Sequence, residues 1–194
     1  MAHGNLRLPP WAAWEHVEGS GGLEVVFIRT IEQGIEFEGV RSAAPNPDTW
    51  RIDYLLSVDQ HWVTRAAQIT SRDGNVCRTL ELESPEDGTW RLDGRTLSDA
   101  EGCLDVDLET SALTNALPIR RLSLRPGEAA DAPALYVRGS DLRIERLDQR
   151  YRRLPDGNSL DYHYEAPRFG FQATLRYDMD GLVRDYPGIA RRAL

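Results

Sequence analysis

Hydrophobic and polar residues alternate along most of the chain, and the period of that alternation is two. Between residues 50 and 59, Trp50, Ile52, Tyr54, Leu56 and Val58 share one face, while Arg51, Asp53, Ser57 and Asp59 take the other. Further on, Phe169, Phe171, Ala173, Leu175 and Tyr177 alternate with Gln172, Thr174, Arg176 and Asp178. Leu104, Val106 and Leu108 oppose Asp105, Asp107 and Glu109 in the same way. Successive side chains of a strand point to opposite faces, so each pattern predicts a strand with one apolar and one wet face. Val25 to Ile28 is apolar on both faces, which predicts a strand covered twice or meeting a ligand on one side.

The punctuation between these segments is that of hairpins. Asp73-Gly74, Asp87-Gly88, Asp93-Gly94, Asp156-Gly157 and Asp180-Gly181 are tight-turn dipeptides, because glycine accepts the positive φ such turns require. Turns this closely spaced favour a meander of antiparallel neighbours over long crossovers. Helical periodicity is not sustained anywhere, and only short helical turns near Ser98 to Gly102 and Ser111 to Asn115 are expected. Pro126 to Pro133 reads as an exposed loop. Many one-faced strands must curl or stack to hide their apolar side, so the fold class is all-β. A barrel, a sandwich and a rolled sheet all satisfy that condition.

Length and charge narrow the picture. A chain of 194 residues suits a single domain spanning residues 1–194 with a substantial core. Its formal net charge of -8 disfavours nucleic acid and anionic lipid surfaces as default partners. The first residues, MAHGNLRLPPWAAWEH, lack the charged start and apolar run of a secretory signal, and no stretch is apolar enough to span a bilayer. A cytoplasmic location is therefore expected. Cys77 and Cys103 lack a Cys-x-x-Cys spacing; two reduced thiols, with no structural zinc, are expected.

The densest polar cluster runs from Asp99 to Arg121. Asp105 and Asp107, two apart on a strand, have Cβ atoms roughly 6–7 Å from one another. That spacing admits an inverting glycoside hydrolase, whose carboxyls stand about 6.5–9.5 Å apart, but it is also the ordinary look of a solvated strand face. Alternation through Leu122 and Leu124 turns Arg120 toward apolar surroundings. A buried guanidinium needs an anion. Arg120 is then paired with an acid such as Asp105 or Asp107, or turned outward by a bulge after Pro118, or directed at an anionic ligand. His3, His16, His61 and His163 have no zinc-pair spacing, and His163 between Tyr162 and Tyr164 reads as a surface imidazole. No nucleophile elbow, phosphate loop or dinucleotide fingerprint occurs. Cys103 has no evident base and reads as a buried thiol. The tryptophans Trp11, Trp14, Trp50, Trp62 and Trp90, with Tyr54, Tyr162, Tyr164 and Tyr186, are either core anchors or the lining of a cavity.

The string from Thr89 to Leu124 and the segment from Asp178 to Arg192 resemble a bacterial family called putative glycolipid-binding. Gly102–Leu108, Thr114–Arg121 and Asp180–Gly188 are the distinctive stretches. The resemblance implies a long antiparallel sheet rolled on itself into a barrel-like or spiral β-roll, similar to LolA-type lipoprotein carriers and mycobacterial glycolipid carriers. Those carriers are exported, whereas this chain shows neither a leader nor a lipid-bearing cysteine. The reading that follows is a non-enzymatic binder of a glycolipid or lipid-like ligand on an apolar concave sheet, without cofactor or metal. Arg120 or Arg121 would meet the head, Asp105, Asp107 and Asn115 would offer hydroxyl contacts, and Trp90 and Tyr186 would supply aromatic surface. The alternatives are a hydrolase using the paired carboxylates, and an interaction domain that forms a homodimer through a strand edge.

Overall fold

The alternating segments do form strands, and their register shows how the ribbon is assembled. In the computed structural model, residues 8–17, 21–44, 49–85, 88–155 and 160–193 are described. The chain first lays down β1 (Trp11–His16), β2 (Leu23–Ile31), β3 (Gly34–Ala43), β4 (Trp50–Asp59), β5 (Thr64–Asp73), β6 (Val76–Glu83), β7 (Arg91–Leu92) and β8 (Arg95–Thr96). Its middle contains β9 (Asp105–Leu108), a 3-10 turn (Leu113–Asn115), α1 (Ala116–Leu122), β10 (Ala129–Asp131), β11 (Ala134–Val137) and β12 (Ile144–Leu147). It finishes with β13 (Arg150–Arg153), β14 (Leu160–Ala166), β15 (Phe171–Tyr177), β16 (Val183–Tyr186) and β17 (Ala190–Arg192).

Fourteen of these strands make one curled sheet in the order β10-β13-β14-β15-β16-β17-β1-β2-β3-β4-β5-β6-β7-β8. The two ends of the chain meet mid-sheet, where Trp14 of β1 lies opposite Arg192 of β17. Trp14 Nε1 also donates to the Val183 carbonyl at 2.7 Å. The sheet is an all-β roll and not a closed barrel, and its edge strands β8 and β10 are short. The hairpin dipeptides Asp73-Gly74, Asp93-Gly94 and Asp180-Gly181 turn the chain where expected, with Asp93 at φ 47° and Gly94 at φ 77° between β7 and β8. Asp87 and Asp156-Gly157 lie outside the described residues, as does His3.

A second sheet, β12-β11-β9, lies against the concave face of the first, with β9 parallel to β11. Both halves of the long sheet hold this middle segment. Trp90 Nε1 donates to the Cys103 carbonyl at 2.8 Å, Ser71 Oγ to the Gly139 carbonyl at 2.7 Å, and Tyr177 Oη to the Asn115 carbonyl at 3.2 Å. The hollow of the roll is thus packed with its own Leu108, Leu113, Leu117, Leu135 and Leu147, all fully buried. Each such side chain contributes about 1.5–3 kcal/mol by leaving water. A charged group is buried with them. Glu24 shares the inward parity of Val26 and Ile28, and its carboxylate accepts from Tyr54 Oη at 2.7 Å, from Ser111 Oγ and from the Ala112 N–H at 2.8 Å. His16 Nε2 lies 3.1 Å from the same carboxylate. Four partners offset the cost of taking that charge out of water, and they fix the inner segment to β2 and β4.

Five expectations change. Asp105 and Asp107 are not on a wet face: β9 is buried on both sides because the long sheet covers one and α1 with the tyrosines of β13 to β15 covers the other. Val25 to Ile28 is covered on one side only, and Phe27 stays 54% exposed on the outer face. Residues 116–122 are helix instead of strand, so the parity of Arg120 with Leu122 and Leu124 does not apply. Phe169 belongs to a 3-10 turn that precedes β15. The stretch from Pro126 to Pro133 includes the edge strand β10 paired with β13. Cys77 is an exposed free thiol and Cys103 a buried one.

Candidate functional site

The only α-helix among the described residues places two of the sequence-selected arginines. Pro118 sits in the first turn of α1, where a missing N–H costs nothing. The helix stops at Ser123, whose backbone is left-handed at φ 46° and whose N–H returns to the Ile119 carbonyl at 3.1 Å. Ala116, Leu117 and Ile119 are buried, which leaves Arg120 and Arg121 on the last turn, beside carbonyls that favour positive charge.

The two guanidiniums have different partners. Arg121 forms an ion pair with Asp105, whose side chain is only 1% exposed. Arg120 lies over the indole of Trp62, its Cζ 4.7 Å from the ring centroid, and donates to the Asp180 backbone carbonyl. Its Nε packs on Gly181, where a Cβ would come within 2.9 Å. Trp62 is positioned by the β4–β5 turn with φ at 63°. Asp59 braces that turn by accepting from the N–H groups of His61 and Val63 at 2.8 and 3.0 Å and from Arg65.

Between these elements lies a cleft of about 630 Å³. Trp62, Ile119, Leu160, Tyr162 and Met179 supply its apolar wall, and Arg120, Arg121 and Arg153 its charged side. The Arg153 guanidinium on β13 donates to the Leu124 carbonyl at 2.9 Å. A second cleft, also about 630 Å³, opens among Arg176, Arg184, Arg191 and Arg192, but Asp161 and Asp185 share its lining and balance much of that charge.

Burial dominates the acids beneath α1. The Asp105 carboxyl is pushed up to about 6 by loss of water, with the Arg121 charge pulling the other way. Asp107 is also pushed up to about 6 by burial; the Thr114 hydroxyl, donating at 3.1 Å, opposes the shift, and the charges of Asp105 and Glu109 add to it. Asn115 Oδ1 accepts from Tyr151 Oη at 3.1 Å. Tyr151, Tyr164 and Tyr177, whose phenols are raised first by burial, are raised further by the Asp107 charge. Burial pushes the Cys103 thiol up to about 11, far from a nucleophile's range.

The sequence-selected residues therefore divide. Arg120 and Arg121 line the cleft, and Asp105 backs it by holding Arg121. Asp107 and Asn115 lie deeper, among tyrosines. Tyr186 joins an aromatic group with Tyr164 and Phe171, ring centroids 6.2 and 6.0 Å away. Trp90 is a buried anchor beside Cys103. Arg153, Met179 and Leu160 were not marked by sequence, because strands far apart along the chain bring them to one place. Among the described residues, no group of three His, Cys, Asp or Glu side chains is placed to hold a metal ion.

Comparison with known proteins places this geometry in a family. No curated protein matches the chain. The crystal structure of a DUF1089 family protein from Pseudomonas aeruginosa is similar to it with a TM-score of 0.74 and 31% identity, over 99% of this chain and 97% of that one. The sequence profile of the family described as "Putative glycolipid-binding" matches residues 11–192. The roll, with the helix and arginines it carries, spans the whole of that match: the chain belongs to the putative glycolipid-binding family.

Proposed function

We propose that the protein is a non-enzymatic, cytoplasmic binder of a glycolipid or similar amphiphile, with residues 1–194 working as one unit and the α1 cleft as the site. The observation that carries this reading is a cleft of about 630 Å³ with an aromatic and aliphatic wall facing guanidinium groups. Sites for small amphiphiles combine such apolar lining with a few placed polar groups. The chain itself fills the hollow of the roll, so the apolar contact belongs to Trp62, Ile119, Leu160, Tyr162 and Met179. Each methylene laid against that wall contributes about 0.8 kcal/mol before ordering costs. Arg120 and Arg121 would meet the head, with Asp105 orienting Arg121.

A hydrolase is the second reading, favoured by two desolvated carboxyls in β9 whose acid constants stand near 6. Neither Asp105 nor Asp107 lines the α1 cleft, and each is already engaged, with Arg121 and Thr114 respectively. Binding is therefore the better supported role.

Native mass spectrometry of gently purified protein tests it. The expected spectrum carries a lipid-mass adduct that delipidation removes, and adding an alkyl glycoside to the delipidated protein then changes tryptophan fluorescence through Trp62. Bare protein mass, together with no response to any alkyl glycoside, would end the proposal.

A further inference from the structure

The α1 cleft is unbalanced in charge, in a molecule whose formal net charge is -8. Arg120, Arg121 and Arg153 line it, and no carboxylate appears among its described lining residues. Asp105 neutralises Arg121 from behind. Among the described residues, Arg120 and Arg153 have backbone carbonyls for partners and form no ion pair. Burial lowers the Arg120 guanidinium from its ordinary value, and the nearby charges of Asp180 and Asp178 only offset this. Several arginines elsewhere on the surface are paired with acids, as Arg29 is with Glu36, Arg51 with Asp53, Arg65 with Asp59, Arg150 with Asp131 and Arg191 with Asp185. Two half-buried cations with no carboxylate in direct contact, in one cleft and beside an apolar wall, are an arrangement that an oxyanion completes.

We infer that the cleft selects an amphiphile whose head carries an oxyanion of the phosphate-ester class, bound between Arg120 and Arg153 with its alkyl part along Trp62, Ile119 and Leu160. This rests on the binding role proposed above and specifies the head group. Planar guanidinium forks match tetrahedral oxyanions better than they match neutral hydroxyls, because each N–H donor meets a full negative charge. The stacked Trp62 and the Asp180 carbonyl hold Arg120 in one orientation, so little side-chain freedom remains to be lost on binding.

Calorimetric titration of the full chain with three probes tests the inference: decyl phosphate, decyl β-D-glucoside, both below micelle-forming concentrations, and inorganic phosphate. Decyl phosphate is expected to bind about 10-fold or more tighter than either of the others, with an affinity that falls as salt rises. Arg153→Gln, a half-exposed change that removes one hydrogen bond to a backbone carbonyl, is expected to weaken decyl phosphate several-fold and decyl glucoside by a much smaller factor. Arg120→Gln should weaken decyl phosphate more strongly still, with circular dichroism confirming that the variant folds. Equal affinity for the two alkyl probes, insensitive to Arg153→Gln, overturns the head-group assignment while the binding role stands. Inorganic phosphate binding as tightly as decyl phosphate removes the lipid from the proposal and overturns it. Failure of both alkyl probes to bind overturns the binding role as well.

Discussion

Asp107 shows how far the setting of one side chain can depart from its sequence context. An acid two residues from another acid on an alternating strand looks solvated, yet its carboxyl is buried against Thr114 and near the neutral tyrosines of β13 to β15. The cause is the covering of β9 on both sides, which no local pattern encodes. Because burial raises this carboxyl to about 6, the folded chain keeps a proton that the unfolded chain releases near pH 4. Its contribution to stability is fullest below about pH 4 and is lost as pH rises toward about 6, a change of about 3 kcal/mol. Asp107→Asn removes that titration. Urea unfolding at several pH values should show the variant losing about 3 kcal/mol less than the natural chain between about pH 4 and 7. Identical pH profiles for the two would show that Asp107 is not held neutral by burial.

At the scale of elements, β3 and β4 fit together through an absent side chain. Gly39 faces Tyr54 across the ladder, and a Cβ on Gly39 would lie 2.0 Å from the ring. That absence lets the Tyr54 hydroxyl reach Glu24 and Ser111, so the β3–β4 pair and the inner segment depend on the same contact. Gly39→Ala should destabilise the fold by about 1–3 kcal/mol through overpacking, as measured by chemical denaturation. A change below about 0.5 kcal/mol would mean that Tyr54 shifts freely and its bond to Glu24 carries little of the stability. Helix α1 is the element that sequence patterning does not reveal. Its seven residues are too few to display a period of 3.6, and isolated helices of this length are unstable. It forms because the roll buries Ala116, Leu117 and Ile119.

Across the whole molecule, the long sheet wraps a middle segment that leaves it after β8, joins its edge briefly as β10, and returns to it at β13 after β11 and β12. The short strands β9 and β11 should therefore be among the slowest to exchange amide hydrogens, although isolated four-residue strands would be labile. The edge strands β8 and β10 should exchange early. Hydrogen exchange read by mass spectrometry distinguishes the cases, and rapid exchange across residues 105–108 would contradict a packed interior.

The strands and most of their faces could be read from the chain alone, because a strand's side-chain period is a local property: residues 50–58 and 171–177 point as their alternation says. The Asp-Gly turns were legible for the same reason, since a positive φ is set by one residue's own sterics. The resemblance carried by Gly102–Leu108, Thr114–Arg121 and Asp180–Gly188 supplied the roll, a fact about many strands together. Tertiary structure alone decided the rest. It filled the hollow with β9, the helical turn after it, β11 and β12, turned 116–122 into helix, buried Asp105 and Asp107, and brought Trp62, Arg120, Arg153 and Tyr162 to one cleft. Desolvation and charge balance depend on which distant segments come to lie side by side, and that proximity is a property of the folded chain.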